Sequence, residues 1–151
     1  ENAAENARKC IETNYYGTKR MIEAMIPLMK PSAAGARIVN VSSRLARING
    51  KRNRIENEEL REKLCDEESL SEEMIDETIN SFLQQVEDGS WKTGGWPQTF
   101  TDYSVSKLAV NTYTRYMARK LSERPEGYAG SVTVEQGADT GVWIALVPDQ
   151  A

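Results

Sequence analysis

The sequence predicts an α/β fold that is rich in helix and poor in strand. Several segments repeat apolar residues every three to four positions, as amphipathic helices do. We read only one run as an almost continuous β-branched stretch, the pattern of a strand buried on both faces. With 151 residues, 39% of them hydrophobic and 28% charged, the chain is long enough for one compact domain of ordinary globular composition.

Each element follows from its local pattern. From Ala4 to about Met29, apolar residues recur at Ala7, Ile11, Tyr15, Thr18, Ile22, Met25 and Met29, which predicts one helix ended by Pro31. In "GARIVNVSS" a strand runs from Ile38 to Val41, launched by Gly35 and stopped by Ser42 and Ser43. Arg44 to about Leu64 is charged and aperiodic and reads as a loop with at most one helical turn. Ser69 with Glu72 has the spacing of a capping box. Beyond it, Ile75, Ile79, Phe82, Leu83 and Val86 form one apolar stripe, and Gly89 stands where a left-handed cap is expected. "SWKTGGWPQ" is a turn-rich connector. Thr99 and Asp102 suggest a second capping box, opening a helix whose apolar face runs Val105, Leu108, Ala109, Thr112 and Tyr116 to Leu121. After the "RPEGYAG" loop, a last amphipathic piece spans about Val134 to Val147.

Composition excludes several functions. A net charge of −4 without clustered Lys and Arg argues against a nucleic-acid partner. No apolar run reaches the roughly 18 residues of a membrane span, and no charged-then-apolar leader opens the chain, so we expect a cytoplasmic protein without a membrane partner. Cys10 and Cys65 stand far apart and the chain has no histidine, so neither a zinc cluster nor a Cys-His pair can be built, and no metal is expected. A Ser-His-Asp hydrolase is excluded for the same reason.

Four polar residues stand out. Asn14 lies on the apolar stripe of the first helix, where an unpaired amide costs about 1 to 3 kcal/mol, so it needs a partner. Ser43 follows the C-terminal end of the strand, the edge at which α/β sheets place ligands. In "TDYSVSKLAV", Tyr103 and Lys107 stand four apart and so share one helix face. A phenol exchanging protons near neutral pH needs its pKa lowered by about 3 units, roughly 4 kcal/mol. A cation about 4 Å away in a medium of effective dielectric near 20 supplies a comparable energy. A serine hydroxyl opposite could hold a carbonyl oxygen against such a phenol.

With these residues in place, the chain resembles the short-chain dehydrogenase/reductase family, in particular its carbonyl-reductase-like and plant menthone or salutaridine reductase-like members. The matching stretches are "TNYYGTKRMIEAMIPLMK", "ARIVNVSS", "GWP", "YSVSKLAVNTYTR" and "VTVEQGADTGVWIALVPD", in the family's order. The resemblance implies a partial Rossmann-like, doubly wound α/β domain covering residues 1–151. It implies reduction of a ketone or aldehyde with NADPH, and a catalytic set of Asn14, Ser43, Tyr103 and Lys107. Ser43 would bind the substrate carbonyl, Tyr103 would act as acid/base, Lys107 would lower the phenol pKa and, with Tyr103, hold the nicotinamide ribose, and Asn14 would support a water of the proton relay. The 59 residues between Ser43 and Tyr103 would contain a helical insertion, about 44–98, that covers the active site and is associated in the family with monomers.

The chain also departs from the family pattern. No G-x3-G-x-G turn for a cofactor pyrophosphate is present. At "ERPEGYAGSVTVEQGAD" the family normally has a strand leading into a Pro-Gly motif and a closing loop, and here we expect the loop to run straight into the helix beyond that segment. The alternative expectation is therefore a catalytically inactive truncated remnant without its dinucleotide-binding half. A lone strand would also lack a ladder partner.

Overall fold

The computed structural model describes residues 3–29, 38–51, 53–122, 131–134 and 143–147. The first helical rod is built from α1 (Ala3–Ile11), a π-helical turn (Glu12–Tyr16), α2 (Gly17–Met25) and a closing 3-10 turn (Ile26–Leu28). The expected single helix is thus interrupted once, with the Gly17 N–H reaching back to the Glu12 carbonyl. A π-turn inserts one residue without breaking the rod, so three-to-four periodicity survives it and conceals it. The rod ends when Met29 turns extended, ahead of Pro31, which lies outside the described residues, as does Gly35.

Strand β1 (Val39–Val41) follows. The expectation of burial on both faces is not met: Asn40 points inward while Val39 and Val41 are exposed. On the inner side the Asn40 amide donates to the Thr114 hydroxyl at 2.8 Å.

The segment expected to be loop contains a 3-10 turn (Arg44–Ala46) and a helix, α3 (Glu58–Cys65). Its cap is Asn57, whose side chain accepts from the Leu60 amide, and it buries Leu64 while leaving an acidic face outside. Two turns with one buried position are too short to register as periodicity. Next, α4 (Glu72–Asp88) buries Ile75, Ile79, Phe82 and Leu83 and ends at Gly89 in the left-handed region (φ 79°), as expected. Its N-cap is Ser71, accepting from Met74 N, whereas the Ser69 hydroxyl donates to the Asp66 carbonyl. The last helix, α5 (Thr101–Ser122), starts without the expected Thr99–Asp102 box: the Thr99 N–H is taken by Asn53 Oδ1 at 2.9 Å.

Beyond α5 the amphipathic piece expected near Val134–Val147 is extended where it is described. Strands β2 (Ser131–Val134) and β3 (Trp143–Val147) pair antiparallel, and β3 also pairs antiparallel with β1, giving the order β1-β3-β2. The lone strand expected to lack a partner therefore has one. Backbone donors and acceptors at a strand edge demand satisfaction, and here a C-terminal segment supplies it.

The helices enclose one main core. Ile11 and Tyr15 of the first rod, Ile79 and Phe82 of α4, and Val105 and Tyr113 of α5 meet at its centre, with Trp96 packed edge-on to Phe82 at a 5.1 Å centroid distance. Each buried side chain of this size contributes about 1.5–3 kcal/mol. A satellite cluster of Ala46, Ile55, Leu64 and Leu108 seats the segment after β1 on α5. The insertion is also tied to α5 by Arg119, which donates to the carbonyls of Glu67, Glu68 and Leu70.

A polar cluster fixes α4 to the first rod. The buried Tyr15 phenol donates to Asp76 Oδ1 at 3.2 Å, while Lys19 bridges Glu72 and Asp76. Burial first, and the Asp76 carboxylate next, raise the Tyr15 pKa. The phenol therefore stays protonated in the folded protein at pH values where the unfolded chain ionises near 10. Its contribution to stability is complete below that value and falls as pH rises through it. Tyr15→Phe should cost about 1.5–3 kcal/mol at pH 7, where a hydrogen bond to a charged group is lost. By pH 11 the deficit should shrink by about 1.4 kcal/mol, because only the parent unfolded state gains from ionisation. Denaturant titrations of both proteins at the two pH values measure this, and a deficit independent of pH would contradict the buried phenol.

Candidate active site

The site forms where β1 runs out against the first turns of α5. Tyr103 and Lys107 lie on one face of α5 as their spacing required, with Lys107 Nζ 5.9 Å from the centre of the Tyr103 ring. The same ammonium donates to the Val41 carbonyl at 3.1 Å. One of its three protons is thereby used, and the others remain to be donated elsewhere. The Ser42 hydroxyl donates to the Lys107 carbonyl at 3.2 Å, so strand end and helix are joined in both directions. Tyr103 is 38% exposed. Beside it Asp102 is partly buried, which pushes its carboxyl up from the usual value.

Ser43 caps the 3-10 turn that follows β1, its Oγ accepting from Leu45 N at 3.2 Å. The bland role of a serine after a strand is thus realised. A hydroxyl that accepts through a lone pair still has its own proton to donate, so capping and holding a carbonyl oxygen are compatible.

Asn14 sits within the π-turn, and its amide donates to Ser106 Oγ at 3.0 Å. Ser106 is fully buried and donates in turn to the Tyr103 carbonyl at 2.8 Å. Asn14 therefore reaches Tyr103 through the backbone of its helical turn. Cys10 completes the cluster, with Sγ 3.5 Å from Asn14 Nδ2 and 3.6 Å from Ser106 Oγ. Ser106 was not singled out from the sequence, although its place one residue before Lys107 on the inner face of an amphipathic helix marked it as a buried hydroxyl needing a partner.

A groove of about 720 Å³ opens between α2 and β1, lined chiefly by Met21, Met25, Ile38, Val39 and Val41, with Lys107 at its end. It takes in Lys107 but neither Tyr103 nor Ser43. Among the described residues no group of three or more acidic, cysteine or histidine side chains could hold a metal, and no helix is long and apolar enough to cross a membrane.

No protein-family model matches the chain. Similar proteins nevertheless exist. The chain is 40% identical over 158 residues to the (+)-neomenthol dehydrogenase of Capsicum annuum, covering 96% of this chain and 49% of that protein. It is 40% identical over 157 residues to "Short-chain dehydrogenase/reductase 1" of Saponaria officinalis, covering 95% and 50%. The chain is thus similar over nearly its whole length to members of the short-chain dehydrogenase/reductase family. Among solved structures, the menthone neomenthol reductase of Mentha piperita superposes with a TM-score of 0.68 at 44% identity, over 78% of this chain and 38% of that one. The fold is accordingly a partial Rossmann-type α/β domain. The antiparallel β1–β3 pairing distinguishes it from a wholly parallel doubly wound sheet. The chain spans about half the length of the curated relatives it matches.

Removing the Asn14 amide should leave Ser106 with only the weak Cys10 thiol as a side-chain donor and open a small void. Asn14→Ala should destabilise the chain by about 1–2 kcal/mol in urea titration. Asn14→Asp, equal in size but without the donor, should lose a similar amount. Loss in the alanine variant alone would show that packing, and not the hydrogen bond, is what Asn14 provides.

Proposed function

We propose that the chain carries the catalytic part of an NADPH-dependent reductase converting a ketone or aldehyde to an alcohol, within one incomplete Rossmann-type domain over residues 1–151 and an insertion at about 44–98. The observation that carries this reading is the Tyr103–Lys107 pair on one face of α5, set against the strand end that precedes Ser43. Ser43 donates its hydroxyl proton to the substrate carbonyl oxygen and holds it toward Tyr103. A nicotinamide cofactor, held at its ribose by Tyr103 and Lys107, would supply the hydride. Tyr103 delivers its phenolic proton to the oxygen as negative charge develops there, so hydride and proton together make the alcohol. Lys107, fixed by the Val41 carbonyl, stabilises the phenolate left behind and offers its remaining protons to a ribose hydroxyl. Asn14 acts on Tyr103 through Ser106. The names of similar proteins, among them a bovine carbonyl reductase [NADPH] 1, support this reaction class. By resemblance to members in which such an inserted helix occupies the face used for pairing subunits, we read the protein as a monomer.

The fit to the cofactor is partial. Lys107 and Tyr103 suit a ribose, but the 151 residues contain no G-x3-G-x-G turn for the pyrophosphate. That observation favours a second reading, a remnant that is inactive without a dinucleotide-binding half. Calorimetry with NADPH separates the two. We expect no saturable binding to the 151-residue chain up to about millimolar cofactor, because two ribose contacts cannot offset the several kcal/mol of immobilising a dinucleotide. Micromolar binding would mean that the elements present build a cofactor site, and would overturn the remnant reading. In a protein completed by a cofactor-binding half, Tyr103→Phe should lower carbonyl reduction by at least about 100-fold with cofactor affinity nearly unchanged, whereas Lys107→Met should reduce both. Turnover of the phenylalanine variant within about tenfold of the parent would remove Tyr103 from the proton transfer.

A further inference from the structure

We propose that Asn53 is the positioning residue that locks the Ser43 turn to the Tyr103 turn. Its purpose rests on the reductase reading above, but its geometry does not. Asn53 lies inside the insertion, only 8% exposed. Its Nδ2 lies within hydrogen-bond distance of three oxygens: the Leu45 carbonyl at 3.1 Å, the Thr99 carbonyl at 3.3 Å and Ser104 Oγ at 3.0 Å. Its Oδ1 accepts from Thr99 N at 2.9 Å.

The partners fall on two sides. Leu45 is the residue whose own N–H is capped by Ser43 Oγ, so holding its carbonyl holds that cap. Thr99 and Ser104 bracket the start of α5, and Ser104, fully buried, is the neighbour of Tyr103. Ser104 Oγ closes the set by donating to the Thr99 carbonyl at 2.6 Å. One amide thus spans from the turn that orients Ser43 to the turn that carries Tyr103.

The backbone between these partners is strained. Phe100 has φ 46°, the one non-glycine residue with positive φ among the described residues, and its carbonyl accepts from Ser104 N at 2.8 Å. Such a conformation persists only where the surroundings over-determine it. Here it lets Thr99 present both its N–H and its carbonyl to the same side chain. A hydroxyl and a phenol that must meet on one carbonyl oxygen need this kind of rigidity, since a displacement of about 1 Å can cost about 100-fold in rate. On the other side of the Ser43 turn, Asn111 Nδ2 donates to the Ala46 carbonyl at 3.3 Å, so the turn is held from the helix as well and should stay folded when Asn53 is changed.

Amide hydrogen exchange followed by NMR on the full 151-residue chain tests this without cofactor or turnover, so it can fail while the reductase reading stands, or succeed while that reading falls. Asn53→Ala should raise exchange by about tenfold at Leu45 and Ala46 and, together with them, at Thr99 and Ser104, with α4 amides unchanged. Asn53→Asp keeps the acceptor oxygen and loses the donors; it should restore protection at Thr99 while Leu45 and Ala46 remain fast. Ser104→Ala should loosen the start of α5 but leave Leu45 and Ala46 within about twofold of the parent. If Asn53→Ala fails to fold, the other two variants carry the test. The proposal is overturned if Asn53→Ala loosens only one of the two turns or raises exchange equally through α4. It is likewise overturned if Thr99 is as unprotected in Asn53→Asp as in Asn53→Ala, or if Ser104→Ala frees both turns.

Discussion

Three segments meet α5 through an asparagine that donates to a buried hydroxyl. Asn14 of the π-turn reaches Ser106, Asn40 of β1 reaches Thr114, and Asn53 of the insertion reaches Ser104. Each hydroxyl passes its own proton to a nearby backbone carbonyl, of Tyr103, Val110 and Thr99 respectively. A hydroxyl on the inner face of a helix would be costly if unsatisfied, whereas a relay from amide to hydroxyl to carbonyl satisfies every member and is directional. Apolar contact alone would let the rod, strand and insertion slide along α5. The three relays set where along the helix each one docks.

That arrangement explains the division between the inner and outer faces at the start of α5. Tyr103 and Lys107 look outward, while Ser104 and Ser106, interleaved with them, are fully buried. Neighbours in sequence on a helix point about 100° apart, so Ser104 and Ser106 flank the Tyr103–Lys107 face on its two sides, and each is held by a different segment, Asn53 on one side and Asn14 on the other. The grip on Tyr103 is through its carbonyl, which leaves its side chain open to solvent.

Much of this was legible in the sequence where the signal is local. The stripe of α4, its glycine stop and the inner face of α5 follow from periodicity and cap chemistry within a few residues, and the Tyr103–Lys107 face follows from helix geometry alone. The need for an Asn14 partner was legible too, but not that Ser106 would provide it, because a contact 92 positions away leaves no spacing signal. Helix α3 was hidden by brevity and by an acidic surface, and the π-turn by its tolerance of the surrounding period. Ser71 displaced Ser69 as a cap because two serines two apart offer alternative registers and the backbone geometry chooses between them. The open face of β1 could not be foreseen either. A run of β-branched residues reports what a strand can bury, and its actual cover is decided by which segments pack there.

The segment from about 44 to 98 is therefore more than a surface addition. Its helix α4 is fastened to the first rod through Tyr15, Lys19 and Asp76, and its first loop is fastened to α5 through Asn53. Arg119 draws the stretch between α3 and α4 onto the far end of α5. With one segment bound to both helices that carry Asn14 and Tyr103, a shift of either helix must strain the insertion. Since packed interiors deform little without switching to another arrangement, the insertion acts as a clamp. The separation between the π-turn and the start of α5 is then set from two directions, directly by the Asn14–Ser106 bond and indirectly by the segment that joins their outer sides. The direct bond positions the atoms, and the clamp removes the freedom that would otherwise let that bond exchange for water.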